Sequence, residues 1–191
     1  MVVFDTNMLL MLVRPDVMVA KDAQGNQISH AKDRVDGLVQ QLGKDKIKIV
    51  IPTPVLSEVL VRSAAGDRSA MVEHFRRSAA FRIEPFDERA AVELADMEKR
   101  AIDGGDKRGG VQGPWAKVKF DRQIVAIAHV AGVKVIYTDD GNLAKFASAR
   151  GLRTVGISSL PIPMATAQIP LPYDVPRRKI NLSDDDDQPE A

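Results

Sequence analysis

Cysteine is absent from the 191 residues, which excludes both a disulfide framework and a thiolate metal site. Zinc-type nitrogen ligands are scarce as well, because the three histidines, His30, His74 and His129, are scattered along the chain. Long hydrophobic runs are also lacking. The opening stretch MVVFDTNMLLMLVRPD is apolar, but it has no basic lead-in and is broken by Asp5 and Asn7. No later segment reaches membrane-spanning length, so a soluble, cytoplasmic protein is expected. What the chain does have is 45% apolar residues, enough for the core of one globular domain with appendages.

The net charge of +1 hides an uneven distribution. From Asp174 onward three basic residues face six acidic ones, so this tail carries −3 and the rest of the chain +4. A mildly basic body tolerates a polyanion without demanding one, since sequence-independent affinity comes from local lysines and arginines.

Short apolar runs at Met1–Phe4, Ile47–Ile51, Val133–Tyr137 and Leu152–Val155 read as buried strands, and Phe81–Ile83 is a candidate for one more. Between them, helical patterns cover Ala31–Leu42, Val55–Ala65, Arg68–Ala80, Glu88–Ile102, Asp121–Ala131 and Asn142–Arg150. This alternation predicts an α/β fold, with a central parallel sheet of four or five strands covered by helices on both faces. Three stretches interrupt the rhythm. Residues 14–27 form an insertion, a loop or a small hairpin turning at Gly25-Asn26. Asp103–Pro114 holds five glycines and is expected to be a flexible loop leading into Trp115. The domain is expected to span 1–160. Beyond it, residues 161–191 are first proline-rich and then acidic at Asp184–Asp187, a composition that predicts an extended or disordered tail.

The chemistry lies in carboxylates. Asp5 follows the first strand, where open parallel sheets bind ligands, although an aspartate there also serves as a plain helix cap. Glu58 sits among Val55, Leu56, Val59 and Leu60, an apolar setting that penalises an unmatched charge. Asp121 opens a helix that is almost wholly apolar beyond its first turn, and Asp139 and Asp140 follow the strand ending at Tyr137. All of these positions map to the carboxyl ends of strands or to the helix turns just after them. Such a set repels itself unless cations neutralise it, and oxygen-only ligands suit Mg²⁺ or Mn²⁺.

Asp5-Thr-Asn, the mid-helix Glu58, Asp121 with Ile124-Val-Ala-Ile-Ala, and Thr138-x-Asp140 with Leu143 resemble, in order, the motifs of the PIN-domain family. The resemblance spans roughly Met1 to Val155. It implies a three-layer, Rossmann-like α/β fold and a metal-dependent nuclease akin to the VapC-like ribonucleases. Matching by Thr-x-Asp puts the fourth family acid at Asp140, with Asp139 beside it as a second candidate. Thr6, Asn7 and Thr138 match polar residues that orient the acids. Asp5 and Asp121 are then expected to hold one divalent ion, with Glu58 and Asp140 completing that site or helping to hold a second. RNA as substrate, a homodimer and an antitoxin partner are further implications of the likeness. The insertion and the tail depart from the compact toxin pattern.

Lys117, Lys119 and Arg122 surround Asp121 and are candidate phosphate-holding groups, with Trp115 a base-stacking platform or a side chain packed under the glycine loop. His129, on an apolar helix, reads as a packed core histidine. Two alternatives compete with the nuclease reading: a PIN-like binding or scaffold protein without strong catalysis, and a haloacid-dehalogenase-type phosphatase. The latter needs a second aspartate two residues after the first, where this chain has Asn7.

Overall fold

The computed structural model describes residues 1–22 and 24–163. From residue 164 on, the expected proline-rich and acidic tail lies outside the described residues. Five strands, β1 (Val2–Phe4), β2 (Ile49–Pro52), β3 (Phe81–Glu84), β4 (Val135–Tyr137) and β5 (Arg153–Val155), make one sheet in the order β3-β2-β1-β4-β5. Every pairing is parallel. Val-Val-Phe in β1 and Ile-Val-Ile-Pro in β2 are apolar throughout and buried throughout, as strands covered on both faces must be. The edge strands β3 and β5 mix polar with apolar side chains and are only partly covered.

Among the described residues seven helices flank the sheet: α1 (Thr6–Val13), α2 (Ala31–Lys44), α3 (Thr53–Val61), α4 (Arg68–Arg77), α5 (Glu88–Asp103), α6 (Trp115–Val130) and α7 (Gly141–Ser148). Helices α3 and α4 end at Val61 and Arg77, short of the expected Ala65 and Ala80. Two others differ from the sequence expectation where it bears on the site. Helix α1 is absent from it because Thr-Asn-Met-Leu-Leu-Met-Leu-Val is apolar on all sides; the helix is buried from Met8 to Met11, and an element without a polar face shows no period. Helix α6 starts at Trp115, not at Asp121, so Asp121 lies near mid-helix and is not its cap. The helix ends at Ala131-Gly132. Gly132 takes φ +69°, and Val133 N–H bonds back to Ala128 O at 3.0 Å, which turns the chain into the approach to β4.

From β1 the chain moves outward to β2 and β3, then crosses back to the other side of β1 for β4 and β5. The connections leaving β1 and β4 therefore diverge, and a crevice opens between the carboxyl ends of these two strands. Residues 14–27 contain a 3₁₀ turn at Pro15–Val17 and an antiparallel bridge between Lys21 and Gln27. Buried Ala20 and Ile28 tie this insertion to the core. The glycine loop is tied to the two helices that follow it: Arg122 donates to Lys107 O at 2.8 Å, Lys145 to Gly110 O at 3.0 Å and Asn142 to Gln112 O at 3.3 Å. Gly109, at φ +64°, lies so close to its neighbours that a Cβ would come within 3.1 Å of the Phe146 ring.

Candidate active site

Asp5 leaves β1 at the crevice and begins α1 as its N-cap. Its Oδ1 accepts the Met8 N–H at 2.9 Å and its Oδ2 accepts the Thr138 hydroxyl. The cap role and the cleft position thus belong to the same carboxylate. Burial raises its pKa to about 7; the bonds from Met8 and Thr138 oppose that rise, and the charges of Asp139 and Asp140 add to it.

Across the crevice, Thr138 follows β4 and turns its hydroxyl toward Asp5. Asp140 caps α7, its Oδ1 accepting Asn142 N–H at 2.8 Å and Leu143 N–H at 3.1 Å. Burial works to raise the Asp140 pKa, but the hydrogen bond and charge of Lys117 together with those backbone donors bring it below the usual value. Asp139 turns the other way. Its Oδ1 accepts the Ile157 N–H at 2.9 Å, and its side chain borders a neighbouring cleft. The structure therefore brings Asp140, not Asp139, into the crevice with Asp5.

Helix α3 follows β2 and carries Glu58, an exposed side chain whose carboxylate accepts the Thr6 hydroxyl from the first turn of α1. Helix α6 supplies Asp121, only 4% exposed. Burial raises its pKa to about 6, opposed by Lys117 and reinforced by the charges of Asp140 and Glu58. Asp5, Glu58, Asp121 and Asp140 line one cleft of about 450 Å³, with Thr6 and Asn7 on its wall.

Of the three basic candidates, only Lys117 lies among the acids. Its Nζ is 2.6 Å from Asp140 Oδ2 and 3.2 Å from Asp121 Oδ2. The one-turn spacing from Lys117 to Asp121 is present in the sequence, yet a helix taken to start at Asp121 leaves Lys117 outside it. Lys119 points to Trp115, at 5.9 Å from the ring centre. Arg122 is 2% exposed, spends a donor on Lys107 O, and stacks between Trp115 and Phe146 at 5.6 and 5.0 Å. It is a strut under the glycine loop and does not border the cleft. Trp115 is half-buried with the Lys107 ammonium 4.3 Å over its ring, a face already taken by a cation. His129 is not a core residue: its side chain is 46% exposed and faces Glu93 at 3.3 Å.

The donor set suits a hard divalent cation in chemistry: carboxylates and hydroxyls, with no thiol or imidazole, and two buried acids held well above the usual carboxylate range. In position it is not yet closed, since among the described residues no three acids converge on a single point. The Lys117 ammonium lies between Asp121 and Asp140 and is paired with both.

A five-stranded parallel sheet with an acidic crevice at its topological switch point defines a Rossmann-like α/β protein built around a carboxylate site. The sequence model of the PIN domain matches residues 2–149, and the chain belongs to the PIN-domain family. No curated protein matches it in sequence. Among solved structures it is similar to VapBC2 from Rickettsia felis bound to a DNA fragment from their promoter, at 14% identity and a TM-score of 0.53, covering 81% of this chain and 97% of that one. It is also similar to DNA-bound VapBC from Salmonella typhimurium, at 19% identity and a TM-score of 0.50, covering 82% and 97%. At such identities these likenesses concern the fold. Among the described residues no helix is long and apolar enough to cross a membrane.

Proposed function

We propose that the chain is a divalent-metal-dependent endoribonuclease that hydrolyses phosphodiester bonds, using Asp5, Glu58, Asp121 and Asp140. The observation that carries this reading is a surplus of carboxylate: four acids line one cleft at the switch point, and Lys117 is ion-paired with two of them. Family membership supports the reaction class. Mg²⁺ or Mn²⁺, when bound, supplies an activated water and neutralises charge on the scissile phosphate.

The protein's own groups prepare that chemistry. Thr138 fixes the rotamer of Asp5 and Thr6 that of Glu58, so neither carboxylate has to be ordered when substrate arrives. Burial keeps Asp5 and Asp121 partly protonated until a cation enters, which links cation binding to proton release. Asp121 and Asp140 would hold the cation in place of Lys117, whose ammonium would then be free to pair with a substrate phosphate. No side-chain nucleophile is required.

The decisive experiment compares RNA cleavage by the wild-type chain with that by Asp5→Asn and Asp121→Asn variants in Mg²⁺ or Mn²⁺. Cleavage abolished in both variants supports the assignment; wild-type rates in either overturn it. Both solved relatives named above are VapBC assemblies, and on this reading the chain is the VapC-like member of a toxin–antitoxin pair. Growth arrest on its expression, relieved by co-expression of a protein encoded beside it, tests that role.

A further inference from the structure

The insertion builds a second cleft, of about 320 Å³, beside the acidic one. Asn7 and Arg62 border both clefts, so the two adjoin. The far wall is Met18, Val19 and Lys21 from the insertion, and Asp139 closes one side. Val19 is 58% exposed, an unusual placement for an apolar side chain next to a charged site.

The wall is anchored. Arg14 pairs with Asp16 through two nitrogens at 3.1 and 3.0 Å and donates to Arg62 O at 3.2 Å, which ties the insertion to the end of α3. Ile28 N–H bonds to Ala20 O at 2.9 Å, and Asp22 accepts the N–H groups of Gln24 and Asn26 to close the turn. Among the described residues Lys21 and the Arg62 guanidinium have no ion-pair partner, in contrast to Lys117 one cleft away. Asp139, in the same lining, forms no ion pair with them among the described residues: its Oδ1 accepts the Ile157 N–H and its Oδ2 is buried.

We propose that this cleft is a subsite for the nucleotide next to the scissile one, with Lys21 and Arg62 gripping a backbone phosphate and Val19 and Met18 forming an apolar wall for its base. The proposal rests on the nuclease reading above. A strand entering a cleft lined by four carboxylates needs cationic anchors close by; Arg62 borders both that cleft and this one, and Lys21 stands on the wall of this one.

The test is binding of a short, labelled, single-stranded oligoribonucleotide, measured by fluorescence anisotropy in Ca²⁺ across a salt series. The Lys21→Gln/Arg62→Gln double variant is expected to bind about tenfold more weakly, with a log–log salt slope shallower by about 0.7 for each phosphate no longer neutralised. A Lys44→Gln control, at the opposite end of the sheet, keeps both values. A slope unchanged in the double variant, while wild-type cleavage still depends on Asp121, overturns the subsite and leaves the nuclease reading standing. A wild-type chain that binds no RNA overturns both. Weaker affinity with an unchanged slope points to damage to the fold and also overturns the subsite.

Discussion

Glu93, on α5, meets Arg150 through one carboxylate oxygen and His129 through the other, the latter at 3.3 Å. Asp5 and Asp121, at the carboxyl end of the sheet, are buried more completely; the one lysine among them, Lys117, pairs with Asp121 and Asp140, and Glu58 lies in the same cleft. In the first cluster one acid has two basic neighbours, and its charge is satisfied by the fold itself. In the second, acids outnumber their partner, and burial pushes the pKa of Asp5 to about 7 and that of Asp121 to about 6. A balanced buried acid holds helices together, whereas an unbalanced group of acids costs stability and is explained by something that binds to it.

This contrast makes opposite predictions for matched substitutions. Asp5→Asn is expected to reduce RNA cleavage at least about a thousandfold, on the order of 4 kcal/mol of transition-state stabilisation, while raising the metal-free melting temperature. Single-turnover kinetics and a thermal melt in chelator check the two halves, and a lowered melting temperature would erase the contrast. Glu93→Gln should do the reverse: a loss of about 2 kcal/mol of stability by denaturant titration, discounted from the buried-pair range because His129 is half exposed, with cleavage unchanged.

Lys117→Met sharpens the comparison from the other side. Without its internal counter-ion the acidic cluster should bind Mn²⁺ about tenfold more tightly, roughly 1.4 kcal/mol, as read by calorimetry. Equal or weaker binding removes Lys117 as a competitor for the cation. The smallest effect is expected from pH. Asp5 and Asp121 have folded pKa values of about 7 and about 6 against an ordinary 3.8. Between these limits the folded chain holds protons that the unfolded chain has released, so metal-free stability is greatest on the acid side and falls as pH rises. A melting temperature that drops by a few degrees from about pH 5 to about pH 8 in chelator, and holds steady in Mg²⁺, is the expected result.

Much of the scaffold was legible because the strands are unambiguous. Ile49–Pro52 and Val135–Tyr137 are short, β-branched and followed by polar residues, so the acids behind them were placed at strand ends without coordinates. Helix α1 was not legible, since a helix buried on all sides has no polar stripe to mark its period. Nor was the start of α6, where Pro114 is the N-cap and the glycine loop just before it obscured the boundary. That boundary decided the fate of the basic residues. Six residues more of helix place Lys117 one turn before Asp121, on the cleft side, and aim Lys119 and Arg122 at Trp115.

The linear order of the residues alone determined the chemical character of the site: oxygen donors without sulfur, with Asp5, Glu58 and Asp140 each spaced to follow a strand. It also determined the alternation that makes a parallel sheet the way to bury so many β-branched runs. Only the tertiary structure decided which carboxylates face one another, because Asp139 and Asp140 are neighbours in sequence yet border different clefts. Only packing decided that Lys117 neutralises acids while Arg122 supports a loop, since the direction of a side chain depends on what surrounds it.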